Sequence, residues 1–364
     1  FALSLGFIAG IYPAFYLSSF KPAEILKGKI SAGMRGKGIR NALVVFQFTA
    51  SIALIISTLF VHKQLSYTTS FNVGYDREYV LQLHNIGRLD AQVGAIKNTL
   101  TNNPAVKIVG QSHEVPPNVM RGDMIKSMDV NSNDVRVTRM KSDEDYISLL
   151  DVKWLAGRNF EKTRPTDKNS AVILNAAAVK ELGFGIESDY ENNSPIGKMI
   201  NRFGTTFEVI GVVDNFHFNS LKNEVSPLII YHLDNPNLPD SGTSPSFLSL
   251  RLNPQSINSG DDLKKLITEI ESNISAIDNS FPFEYSFMDQ IFENSFRNEQ
   301  KMGEVLNIFT VMAVIIACLG LYGLAAFSAE QRTKELVIRK VLGAKTMHLV
   351  MLFSSEFTKL VVIS

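Results

Sequence analysis

Few residues in this sequence are of types that do chemistry, and their spacing decides what they can do. Asp143-Glu144-Asp145 gathers three carboxylates, a set suited to acid–base work or to a cation. The triplet follows Ser142 and opens an amphipathic segment, where acids cap a helix and offset its dipole; that structural role is the reading adopted. Gly-Lys pairs at Gly28-Lys29, Gly36-Lys37 and Gly197-Lys198 suggest phosphate loops, but none is followed by Ser or Thr, so no P-loop is complete. The six histidines (His62, His84, His113, His217, His232 and His348) lack metal-ligand spacing. HExxH, GxSxG and CxxC patterns are missing, and the lone Cys318 excludes a disulfide framework. The residues therefore point away from an enzyme and name no metal or cofactor.

The elements that must carry these residues are set by a bunching of apolar side chains. The 364-residue chain is 45% hydrophobic and 20% charged, too apolar for disorder and long enough for two or three domains. Its 36 Lys+Arg balance 36 Asp+Glu, which argues against a nucleic-acid partner. Ala42 to Val61 and Val305 to Phe327 are uncharged runs of 20 and 23 residues. At roughly 1.5 Å per residue each reaches about 30 Å, the depth of a bilayer core, so both are read as membrane spans. Phe1 to Leu17 reads as the tail of another span rather than a signal peptide. Met347 to Ser364, apolar apart from Glu356 and Lys359, reads as the start of a further one, which makes the sequence an expected internal fragment.

Charge sets the orientation. Lys21, Lys27, Lys29, Arg35, Lys37 and Arg40 face only Glu24 before the first long run, and Arg332, Lys334, Arg339, Lys340 and Lys345 outnumber Glu330 and Glu335 after the second. The positive-inside rule places both short segments in the cytoplasm and the long stretch between the runs outside. Residues 63–302 hold 24 Lys+Arg against 31 Asp+Glu and the rest 12 against 5, so the neutral sum is a cancellation across a membrane.

The outer stretch alternates strand and helix signals. Strands are expected at Tyr79–Leu83, Val106–Gly110, Met124–Val130, Val135–Met140, Ala171–Leu174, Phe207–Val213, Leu228–Tyr231, Phe247–Leu252 and Phe283–Phe287. Helices are expected at Asp90–Thr101, Asp143–Leu150, Ala176–Leu182 between an Asn175 cap and a Gly183 stop, and Asp262–Ile277. Turn clusters at Val115-Pro116-Pro117-Asn118 and Asp234 to Ser246 separate them, and two subdomains are expected to meet near residues 114 to 140 and again near 245. Asp289 to Phe327 lacks proline; one 39-residue helix there would be a rod of roughly 58 Å, with some 28 Å standing outside the membrane as a stalk, the alternative being a break near Gly303. The fold class is thus a membrane protein with α-helical transmembrane segments and a mixed α/β (α+β) extracytoplasmic domain on a helical stalk.

Glu330 to Lys345 (EQRTKELVIRKVLGAK) reads as a short amphipathic helix, with Glu335 and Arg339 four apart and Gly343 placed to stop it. Leu336, Val337, Ile338, Val341 and Leu342 give it an apolar side and Arg332, Lys334, Arg339 and Lys340 a basic one. Such a helix suits an anionic membrane surface or a partner with an acidic-rimmed groove. Ala313 and Ala317, followed by Gly320 and Gly323, offer a small-residue stripe for close helix packing in the membrane.

This stretch, preceded by IACLGLYGLAAFSA, resembles the coupling region of FtsX-like and MacB-like ABC transporter permeases. GIYPAFYLSSFKPAEILKG (Gly10 to Gly28) and IRNALVVFQFTASIALI (Ile39 to Ile55) are similar to the junction between two units in double-unit, eight-span members. SDEDYISLLDVKWLAGRNF, SPIGKMI and VIGVVDNFHFNSLKNEVSPLII resemble the family's MacB-like periplasmic core. The resemblance implies that Arg332, Lys334, Glu335, Ile338, Arg339, Lys340 and Gly343 belong to a helix contacting a separate ABC ATPase subunit, which binds the ATP. It further implies a multi-pass protein of the bacterial inner membrane that transmits ATP-driven motion to a periplasmic domain, for export or extraction of an antimicrobial peptide, drug or lipoprotein. Partners so implied are the ATPase and the bilayer, with a second permease copy or an upstream permease unit and a periplasmic adaptor as further members. The expected organisation runs from a span end (1–20), through a basic cytoplasmic linker (21–41), a transmembrane helix (42–62), the periplasmic core with its stalk (63–302), a second transmembrane helix (303–328) and the coupling helix (329–346), to the start of the next span (347–364). The competing reading is a transmembrane signalling receptor with an extracytoplasmic ligand-binding domain; a membrane-anchored ectoenzyme lacks a catalytic constellation.

Overall fold

A run of β-branched and aromatic residues broken by turn clusters folds into a sheet that closes on itself over part of its length. The computed structural model describes residues 7, 11, 33–128, 133–238, 246–257 and 259–364. Its contacts divide the chain into residues 65–300 and residues 1–64 with 301–364.

The first of these units is the α/β domain. Its strands are β1 (Val80–Leu83), β2 (Val106–Ser112), β3 (Gly122–Ser127), β4 (Val135–Ser142), β5 (Trp154–Gly157), β6 (Ala171–Asn175), β7 (Met199–Arg202), β8 (Thr205–Val213), β9 (Leu228–His232), β10 (Phe247–Leu252) and β11 (Tyr285–Phe287). Six of them form a ring in the order β4-β3-β7-β8-β6-β9, closed by a parallel β9–β4 ladder from Thr138↔Leu228 to Ser142↔His232. Closure removes the free edges that a sheet otherwise exposes. β5 continues on the β7 side of β8, where Gly157, at φ +72°, lies so close to the Ile210 carbonyl that a Cβ would sit 2.2 Å from it. The other four strands form an open antiparallel sheet, β11-β1-β10-β2, joined to the ring by one rung, Ser112↔Ser142.

Helices cover these sheets according to their apolar faces. α2 (Val93–Thr101) and α6 (Gly260–Ile277) bury Ile96, Leu100, Leu266, Ile270 and Ile274 on the open sheet. α3 (Glu144–Leu150) packs on β2 so closely that a Cβ on Gly110 would lie 2.3 Å from the Tyr146 Cα. α4 (Pro165–Ser170) and α5 (Ala176–Glu181) flank the ring, and Asn175 caps α5 by accepting from the Ala178 N–H at 2.9 Å. α7 (Met288–Asn294) places Met288 and Phe292 in a core shared with Tyr146 and Leu149.

All nine expected strands and four expected helices appear, with ends shifted by a few residues; positions 129 and 130 of the third strand and 239–245 of the second turn cluster lie outside the described residues. β5, β7 and α4 were not expected: WLAG, MINR and PTDKNS are too short or too polar to show a period. The transition between ring and open sheet falls at residue 112 and before residue 246.

The second unit is helical. α1 (Gly33–Ser70) and α8 (Arg297–Gln331), which run on into the domain, are each long and apolar enough to cross a membrane. Only 17% and 11% of their most apolar windows are buried, whereas the core helix of a soluble protein would be covered. α1 begins at Gly33, inside the stretch expected as a linker; the expected span end at 1–20 and the linker up to residue 32 lie outside the described residues, apart from residues 7 and 11. The stalk expectation is corrected at one point. The helix is neither continuous from Asp289 nor broken near Gly303; it breaks at Ser295, whose Oγ donates to the Phe292 carbonyl at 2.5 Å while Phe296 turns into the core. Gly303 lies buried within α8, which at 35 residues is roughly 52 Å long. α9 (Thr333–Val341) and α10 (Thr346–Ile363) complete the chain.

Candidate functional site

The site that the sequence points to is α9, and its ends are set by local chemistry. Arg332, at φ −106° and ψ 13°, separates it from α8. At its other end the Ala344 N–H donates to the Arg339 carbonyl (3.0 Å) and the Gly343 N–H to the Lys340 carbonyl (3.1 Å), the two bonds of a Schellman motif. Gly343 at φ +92° supplies the left-handed residue that this motif needs.

Between these stops α9 buries no residue. Glu335 and Arg339 form an i,i+4 ion pair at 2.6 Å. Ile338, Val341 and Leu342 share the exposed side with Lys334, Arg339 and Glu335, and Val341 and Leu342 are 82% and 81% exposed. The expectation of one apolar and one basic side needs correction here. Leu336 and Lys340 lie on the opposite side, where with Thr333 and Val337 they line a groove of about 870 Å³ against the end of α8 and α10. Arg339 thus faces out, whereas Lys340 faces the groove.

The small-residue stripe also divides. The Ser51 hydroxyl of α1 donates to the Ala313 carbonyl at 3.3 Å, and Ala317 is buried. A Cβ on Gly320 would lie 2.7 Å from Gln47 Oε1, while one on Gly323 would meet nothing within 4 Å. Thr58 and Thr310 hydroxyls meet at 2.8 Å. Gln47, Ser51 and Thr58 were missed as partners, although their recurrence at helical spacing within an apolar run carried the signal.

In the α/β domain the acidic triplet serves structure. Asp143 Oδ1 accepts from the Tyr146 N–H at 2.7 Å, capping α3, and Oδ2 accepts from the Gln111 N–H at 2.9 Å. Lys97 reaches both Asp143 and Asp145 at 2.6 Å, and Lys162 reaches Asp145 at 2.8 Å. Burial raises the Asp143 carboxyl against the pull of Lys97. Burial also pushes Glu144 upward, but hydrogen bonds from His232 and Lys162 prevail and bring it down to about 2. Because His232 Nδ1 accepts from the Asp234 N–H at 3.1 Å, its Nε2 is the atom that donates to Glu144. Gly197-Lys198 forms a turn in which the ammonium meets Asn193 Oδ1 at 3.1 Å, and no three potential ligands converge on a metal position among the described residues.

An α/β domain with a closed ring of strands, flanked in sequence by two helices long and apolar enough for a bilayer, defines a membrane-associated protein with a large folded domain. Residues 42–271 match the family described as the MacB-like periplasmic core domain. The macrolide export ATP-binding/permease protein MacB of Aggregatibacter actinomycetemcomitans is 21% identical over 213 residues, 58% of this chain and 31% of that protein. The chain thus spans about a third of the length of this curated relative. Among solved structures, the periplasmic region of MacB from Actinobacillus actinomycetemcomitans aligns with a TM-score of 0.43 at 15% identity, over 63% of this chain and 98% of that one. The extracellular domain of the noncanonic ABC-type transporter YknZ from Gram-positive bacteria aligns at 0.38 with 18% identity, over 57% and 98%. The family match covers well over half of the chain, which belongs to the MacB/FtsX-like permease family as a member with a MacB-like periplasmic core domain.

Proposed function

We propose that the chain is the permease subunit of an ABC transporter, passing ATP-driven motion of a separate ATPase subunit to its α/β domain so that a substrate is exported or extracted. The observation that carries this reading is α9. A nine-residue helix that exposes Ile338, Val341 and Leu342 beside Arg339 and Lys334, directly after an apolar helix, leaves apolar area uncovered that a partner would bury. In this reading α1 and α8 cross the bacterial inner membrane, α9 lies in the cytoplasm and the α/β domain in the periplasm, an arrangement supported by the basic excess at both cytoplasmic segments. Ala313, Ala317 and Gly320 set the approach of α8 to α1, and α10 begins a further span. Substrates belong to the antimicrobial peptide, drug or lipoprotein class. An upstream permease unit or a second copy completes the membrane core, with a periplasmic adaptor as a further partner. The double variant Arg339→Glu/Lys340→Glu is expected to abolish recovery of the ATPase subunit in a pull-down from solubilised membranes; undiminished recovery would sink the assignment of α9.

A further inference from the structure

The α/β domain contains a cleft of about 950 Å³ that neither the ring closure nor the coupling helix uses. It lies between α5 with the following turn and the segment 215–227, and its size falls within the range of small-molecule sites. Ala176, Ala177, Ile186, Leu221 and Val225 give it an apolar lining.

Its polar groups favour a cation. Lys180, Lys222, Glu181, Glu187 and Glu224 line the cleft, but Lys222 is engaged by Glu299 and Glu187 lies 3.7 Å from Lys153. What is left is Lys180 against Glu181 and Glu224, an excess of one negative charge in a recess with both apolar and polar walls. The backbone at the head of α5 offers an anion little, because the Ala177 and Ala178 N–H groups are already taken by Asn215 at 3.0 Å and Asn175 at 2.9 Å. Tyr190 adds an aromatic face, and its hydroxyl is buried without a hydrogen-bond partner.

One wall of the cleft is tied to the ends of both long helices. The His217 N–H donates to the Val73 carbonyl at 2.7 Å and its ring meets Phe71, just beyond α1, edge-on at 5.4 Å. Lys222 reaches Glu299 in the first turn of α8. A molecule that orders segment 215–227 therefore also orders the residues where the helices enter the domain.

We propose that this cleft binds an apolar small molecule bearing one ammonium group, and that segment 215–227 reports its occupancy to residues 71–75 and 297–300. The inference deepens the permease reading by assigning a ligand class to its α/β domain, yet it is tested without an ATPase, so either can fail alone. The full chain in nanodiscs is titrated with 4-phenylbutyltrimethylammonium and, in parallel, with 4-phenylbutyrate, while amide hydrogen exchange is followed. Saturable binding of the ammonium probe alone is expected, weakened roughly tenfold or more by Glu181→Lys/Glu224→Lys, whose exposed side chains leave the fold intact. Binding is expected to slow exchange at 71–75 and 297–300 by roughly threefold or more, an effect reduced at 71–75 and lost at 297–300 in His217→Ala/Lys222→Ala, which keeps the His217 N–H bond to Val73 and removes the Phe71 ring contact and the Glu299 pair. Equal binding of both probes, no saturation, or indifference to charge reversal overturns the site. Saturable binding that leaves exchange at the helix ends unchanged overturns the link to them.

Discussion

Two short helices, α3 and α9, have comparable sequences and opposite surroundings. Each mixes a few charges with four apolar residues, and each has acidic character in its first turn, Glu144 and Asp145 in α3 and Glu335 in α9. α3 buries Tyr146, Ile147, Leu149 and Leu150, and its acids are matched by Lys97 and Lys162 from elsewhere in the same domain. α9 buries nothing, and the ion pair of Glu335 with Arg339 lies within the helix. The first helix is complete within its fold, so its charges explain stability. The second leaves apolar and basic groups without cover, so its charges are available to a partner. An amphipathic pattern becomes a functional signal only once packing has claimed its share of it.

The largest effects should fall on the complete helix. Tyr146→Ala removes an aromatic ring from a fully buried position against Gly110 and should cost about 3–5 kcal/mol in denaturant unfolding of the full chain. Val341→Ala with Leu342→Ala should change stability by no more than about 0.5 kcal/mol. Equal losses for the two would collapse the comparison. Asp143→Ala comes next, at about 2–3 kcal/mol, since it frees the Tyr146 and Gln111 N–H groups and leaves Lys97 with Asp145 alone.

On the open helix the expected effects are on association. Arg339 is exposed and Lys340 faces the groove, so Arg339→Glu should reduce ATPase recovery roughly tenfold and Lys340→Glu by less, with unfolding unchanged for both. A larger effect at Lys340 would show that the groove, and not the outer side of α9, receives the partner.

Legibility followed the range of the interactions involved. Asn175 with the Ala178 N–H, and Gly343 with its Schellman bonds, act within a few residues, and both helix ends were readable from sequence. Ring closure was not: β4 and β9 pair in parallel across some 90 residues, and no local pattern names a partner at that distance. The pairing of Lys97 with Asp143, 46 residues apart, is beyond local pattern too. For α9 the residues were legible, but the split between Arg339 and Lys340 was not, because it depends on how α8 and α10 flank the helix. The break at Ser295 was hidden by the apolar residues on either side, which continue the helical period through it.

The smallest effects separate the two helices by their glutamates. Glu144 in the folded chain titrates near 2, below the roughly 4.3 of an unfolded glutamate, so the folded state favours its carboxylate. The unfolded chain therefore takes up the proton first on acidification. The stabilisation is complete above the unfolded value and is lost as pH falls from about 5 through about 2. After allowance for solvent screening it should amount to about 1–2 kcal/mol at neutral pH, and Glu144→Gln should remove it and flatten that part of the acid limb. Glu335→Gln breaks only an exposed i,i+4 pair and should cost about 0.3–0.5 kcal/mol. If Glu144→Gln left the acid limb as it is in the unaltered chain, His232 and Lys162 would not be holding Glu144 as a carboxylate, and the charges of α3 would be as free as those of α9.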